Sequence, residues 1–144
     1  MEHTYLMHSA HWRVEGIYHP KDGETVPMTG GITVEKKGAK WTLHSSLDVA
    51  MQTPLHMERK YKLRKTSNAM ELNWTAQDSA CGKIEGTFTV LPGIITSAWA
   101  ADTVSGSQMI MQVSTDEYKL QNVHNQNGNP QDWWEGRLVR DDNG

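Results

Sequence analysis

The sequence holds a single cysteine, Cys81, and a single phenylalanine, Phe88, in 144 residues. One thiol excludes an internal disulfide framework and any cysteine-rich zinc module, so an ordinary apolar core must hold the fold, and a chain of this length can build one. No apolar run approaches the roughly eighteen residues of a transmembrane helix. The first ten residues lack the basic-then-apolar order of a secretory leader. These absences lead us to expect a cytoplasmic protein with no membrane partner. Acidic residues number 17 against 14 lysines and arginines, and the net charge of -3 offers nucleic acid no general attraction. Helical periodicity is nearly missing as well: only residues 46–55 suit a short helix, and Pro54 limits it.

What is present is alternation at period two, broken by Gly, Asn, Asp and Pro every eight to twelve residues or so, the pattern of an all-β sandwich or barrel. It predicts strands at 11–19, 25–37, 40–47, 56–65, 70–77, 83–91, 94–103, 107–114, 117–125 and 132–140. The short connections favour one up-and-down antiparallel barrel of about ten strands, with at most one short helix, as a single domain over residues 1–144. Register can be read at four hairpins. A turn near Ser67-Asn68 sets Leu63 against Leu72 and Tyr61 against Trp74; one at Pro92-Gly93 sets Phe88 against Ser97 and Gly86 beneath Trp99. A loop at Val104-Ser105-Gly106 brings Met109 and Met111 beside Ala101 and Trp99, and a turn at Thr115-Asp116 sets Met111 against Leu120. An apolar-Glu-Gly step recurs at Val14-Glu15-Gly16, Ile84-Glu85-Gly86 and Trp134-Glu135-Gly136. It reads as an inward residue, an outward acid and a glycine bend.

Trp12 early in the first strand, the long β-meander, and Arg137 and Arg140 in the last strand together resemble the calycin superfamily, which comprises lipocalins, fatty-acid-binding proteins and bacterial lipocalin-like relatives. Where lipocalins carry Gly-x-Trp this chain has Ala10-His11-Trp12, and Arg137 is followed by Leu138-Val139 rather than completing Arg-x-Tyr. The resemblance implies a barrel with Trp12 packed near a terminal arginine and a ligand inside. Some calycin-like barrels are cofactor-free decarboxylases or cyclases, which implies an alternative reading as an enzyme.

A barrel of this size not filled by its own side chains encloses a cavity for a small ligand. The in-phase face comprises Tyr18, Leu43, Tyr61, Leu72, Trp74, Phe88, Trp99, Met109, Met111, Tyr118 and Leu120, with polar Arg59, Ser97, Asn122 and His124 in phase. From it we expect a small apolar or amphipathic ligand held by Tyr18, Arg59, Tyr61, Trp74, Trp99, Met111, Tyr118, Asn122 and His124. The same stripe equally suits a packed core. Arg59 is the expected anion anchor, and no cofactor or metal is expected, because the seven histidines match no zinc-binding spacing. Catalysis by decarboxylase, cyclase or isomerase chemistry would need an inward carboxylate or histidine, such as Glu135 after a one-residue slip. A third alternative is a filled barrel that forms a homodimer through Trp133 or an uncovered edge strand. Lys60, Lys62 and Arg64 form a basic ridge that reads as a solvated strand face.

Overall fold

The structure, a computed structural model, describes residues 1–141. Strands β1 (Ala10–His19), β2 (Val26–Lys37), β3 (Lys40–Val49), β4 (Leu55–Lys65) and β5 (Glu71–Asp78) are followed by β6 (Gly82–Leu91), β7 (Ile94–Ala101), β8 (Val104–Gln112), β9 (Glu117–Gln126) and β10 (Asn129–Arg140). Each pairs antiparallel with the next, and β1 pairs with β10, so the ten strands close into an up-and-down barrel. Closure satisfies the backbone groups that an open sheet would leave at its edges, and no edge strand remains among them for self-association. No helix occurs among the described residues: the stretch expected to be helical continues β3 to Val49, bends, and enters β4 at Leu55.

The registers correct three of the four hairpin expectations. The β6–β7 pairing is as read, with Val90 opposite Ile95, Phe88 opposite Ser97 and Gly86 opposite Trp99. In β4–β5, Leu63 faces Trp74 and Tyr61 faces Ala76, a two-residue displacement that leaves each side chain on its expected face. The β7–β8 turn falls earlier than expected, at Asp102-Thr103, with Asp102 at φ 54°. Gly106 therefore lies within β8 opposite Trp99, and Met109 and Met111 pair with Thr96 and Ile94. In β8–β9, Ile110 rather than Met111 meets Leu120. This odd slip turns Met109 and Met111 outward, 45% and 43% exposed, and brings Gln108 and Ile110 to the interior face.

Two tryptophans lie over glycines on neighbouring strands. A Cβ on Gly86 would sit 2.5 Å from the Trp74 indole, and one on Gly106 would sit 2.3 Å from Trp99 Nε1, so each ring fills space that only glycine leaves. It is thus Trp74, not Trp99, that covers Gly86. Two of the three apolar-Glu-Gly steps meet at the closure, where Gly16 pairs directly with Gly136. Their inward neighbours Val14 and Trp134 are buried, and Glu15 and Glu135 point out.

One end of the barrel is plugged by the segment before β1. Tyr5 and Leu6 are buried there, and Trp41 Nε1 donates to the Leu6 carbonyl at 2.9 Å. The Tyr118 hydroxyl accepts from the Thr4 and Tyr5 amides at 3.0 and 3.2 Å. His3 Nε2 lies 2.7 Å from the Leu91 carbonyl, which can only accept, so Nε2 carries the proton and Nδ1 accepts from the Tyr118 hydroxyl at 2.9 Å. Trp12 packs edge-on against both Tyr5 and Tyr118, with centroids 5.6 Å apart in each case. The register sets Trp12 opposite Arg140 across the closing strands. Aromatic rings thus fill this half of the barrel.

Candidate functional site

The opposite end stays open. There the last residues of β1, β3, β5, β7 and β9 and the first of β4, β8 and β10 surround a cavity of about 190 Å³. Its apolar wall is Leu47, Leu55, Met57, Trp99 and Trp134, and its polar groups are Tyr18, Arg59, Tyr61, Asp78, Gln108, Asn122, His124 and Asp132. Strand alternation explains the set: Arg59 is in phase with buried Tyr61 and Leu63, Asp78 with Trp74 and Ala76, and Asp132 with Trp134.

Arg59 is fixed from three sides. Its Nε donates to Asp78 Oδ2 at 2.7 Å, its Nη1 donates to the Tyr61 hydroxyl at 3.1 Å, and its Cζ stands 5.2 Å from the Trp99 ring centroid. The side chains of Arg59 and Asp78 are only 16% and 12% exposed. Asp78 Oδ1 accepts from the Ala80 and Cys81 amides at 2.8 and 2.9 Å, which closes the turn into β6. Burial pushes the Asp78 carboxyl up, but the Arg59 charge and hydrogen bond and the two amides outweigh it, and its pKa falls below the usual 3.8. Burial likewise opposes the Arg59 charge, yet the Tyr61 and Asp78 interactions hold its pKa above the ordinary value. Cys81, at the cavity edge, has its thiol pushed up by burial and then by Asp78, which makes it a poor nucleophile.

A second cluster lies across the mouth. Asp132 accepts from the Tyr18 hydroxyl through Oδ2 and from His124 Nδ1 through Oδ1, the latter at 2.8 Å. Burial, followed by this hydrogen bond and the Asp132 charge, raises the Tyr18 phenol well above its usual pKa and keeps it a donor. A carboxylate only accepts, so the His124 proton resides on Nδ1, while Nε2 is buried without a hydrogen-bond partner among the described residues. The His124 ring stacks on Trp99 at 6.3 Å.

Hydrogen-bond accounting then defines what the cavity can still take. Both oxygens of Asp78 and of Asp132 accept from protein donors. Arg59 Nη2, Trp99 Nε1 and the amide groups of Gln108 and Asn122 have no hydrogen-bond partner among the described residues, although all four side chains line the cavity. Donor-only atoms outnumber free acceptors, so the mouth is chemically suited to a carboxylate or carbonyl oxygen.

Of the residues expected from sequence, Tyr18, Arg59, Tyr61, Trp99, Asn122 and His124 line this cavity. Trp74 does not: it is buried beside Tyr61 and Phe88 and donates through Nε1 to Ser97 Oγ at 3.1 Å. Tyr118 belongs to the plugged end, and Met111 lies on the outer surface, the result of the odd register slip. Glu135 and Arg137 also face outward, about half exposed. Sequence reading missed Asp78, Asp132 and Gln108. Strand parity with Trp74 and Trp134 pointed to both aspartates, but each stands at or beyond the predicted end of its strand. Gln108 was lost with the β8 register.

The fold defines a closed ten-strand antiparallel up-and-down barrel with one plugged and one open end. Among solved structures it is similar to the S-type phycobiliprotein lyase CPES from Guillardia theta, with a TM-score of 0.66 over 94% of this chain and 89% of the lyase. At 11% identity that likeness is one of fold. No protein-family model and no curated protein matches the sequence.

Proposed function

We propose that this barrel binds a small amphipathic acid at its open end, with the carboxylate on Arg59 and the apolar part against Leu47, Leu55 and Met57. The observation that carries the reading is Arg59 itself: a guanidinium 16% exposed, held on Trp99 by Asp78 and Tyr61, with Nη2 left over at the cavity. Such a group is positioned before a ligand arrives, which lowers the entropic cost of binding. At about 190 Å³ the cavity lies below the range of roughly 300 to 1,000 Å³ common for drug-sized ligands, so a single-ring or medium-chain acid fits better than a porphyrin. Native mass spectrometry of freshly purified protein, followed by tryptophan-fluorescence titration with octanoate, cinnamate and octanol, tests it. Saturable quenching by an acid, absent with octanol and lost in Arg59→Gln, is expected. No co-purified mass and no response to either acid would remove the proposal.

A second reading, cofactor-free acid-base catalysis on the bound acid, is favoured by the Asp132–His124 pair rather than by Glu135, which faces outward. It requires His124 to move a proton between two atoms of the ligand. Incubation of the binding acid in deuterated water, followed by proton NMR, tests this: deuterium on carbon in wild type and none in His124→Gln supports catalysis, and no incorporation in wild type excludes it.

A further inference from the structure

On the outer wall, away from the mouth, β1, β10, β9 and β8 form a shallow groove of about 480 Å³. The glycine pair Gly16 and Gly136 contributes to its lining, and Ile17, Met109 and Met111 are 44%, 45% and 43% exposed around it. Three large apolar side chains gathered in one outer concavity are unlike singly scattered surface residues and mark an interaction face. Its charges identify the partner. Two rows cross the strands: Glu15, Arg137, Lys119 and Met111 are register neighbours in one, and Ile17, Glu135, Gln121 and Met109 in the other. Two acids and two bases cancel, so the face offers no net attraction to a strongly charged partner.

The same pattern complements itself. A two-fold axis lying in the interface and running across the strands exchanges the two rows. Arg137 then meets the partner's Glu135, Met111 meets the partner's Met109, and each contact occurs twice, as an isologous interface demands. The opposite choice, an axis along the strands, would set Arg137 against Lys119 and is disfavoured by like charge. We propose that this face joins two copies of the chain, with the β1-β10-β9-β8 surfaces packed together and both ligand mouths left open.

Sedimentation across about 1 to 300 μM, a range suited to a modest interface, tests the assignment. Wild type is expected to move from the mass of one chain toward two. Glu135→Arg alone and Arg137→Glu alone should each weaken the dimer about tenfold or more, and the double exchange should restore it. Met111→Glu should abolish it, with circular dichroism confirming the barrel in every variant. A strict monomer throughout the range, or a dimer indifferent to these substitutions, overturns the proposal.

Discussion

The indole of Trp99 lies across Gly106, its register partner on β8, so closely that a Cβ there would stand 2.3 Å from Nε1. The ring is also the surface on which Arg59 and His124 rest, at 5.2 and 6.3 Å from its centroid. A backbone glycine thereby sets the position of the cavity's cation and imidazole.

Gly106→Ala should accordingly displace Trp99 and cost about 1–3 kcal/mol through overpacking. The backbone itself imposes no strain, since Gly106 is not among the glycines of positive φ. Urea denaturation gives the stability change, and intrinsic fluorescence reports the ring. Full stability with an unaltered emission spectrum would contradict the packing described.

Asp78→Ala leaves Arg59 charged in a site only 16% open to solvent and should destabilise the barrel by about 2–3 kcal/mol, more than the double variant Asp78→Ala with Arg59→Met. A double-mutant cycle measures the coupling. Because the folded pKa of Asp78 lies below 3.8, its contribution is present above that pH and is lost as pH falls through the folded value. Asp78→Asn should flatten the acid limb of stability below pH 3.8. An unchanged acid limb would argue against this pairing in solution.

Tyr118→Phe removes the acceptor for two backbone amides and the donor to His3. Buried amides left without partners cost about 1–3 kcal/mol, and the segment before β1 should loosen from the barrel. Limited proteolysis should then cut near residues 1–9 faster, while the mouth, at the other end, keeps its response to ligand. Cleavage at the wild-type rate would show that the Tyr118 hydroxyl does not hold the plug.

Outside the barrel, His56 Nδ1 lies 2.8 Å from Asp48 and its Nε2 lies 3.4 Å from Glu58. These hydrogen bonds, with Asp48 first, raise the His56 pKa above 6.5. The stabilisation it provides is complete below pH 6.5 and disappears as pH rises through the folded value. Asp48→Asn should return the titration toward 6.5, which histidine NMR shifts can follow directly. A midpoint that does not move would assign the shift to another neighbour.

The all-β character, the ten strands and the inward face of most of them were legible in the residues, because period-two alternation and turn residues are local signals. So were the places of Arg59, Trp99 and His124, whose phase follows from their own strands. The register of β8 came from long-range packing: Gly106 reads locally as a turn, yet it lies inside a strand beneath the ring of Trp99, and that placement turns Met109 and Met111 outward. Tertiary structure likewise chose which half of the barrel is filled. The rings of Tyr5, Trp12 and Tyr118 pack together at one end because the segment before β1 folds into it, while at the other the carboxylates of Asp78 and Asp132 hold Arg59, Tyr18 and His124 against the walls of an open cavity. The Arg59–Asp78 and Tyr18–Asp132 pairings join residues 19 and 114 positions apart, and no local pattern encodes them.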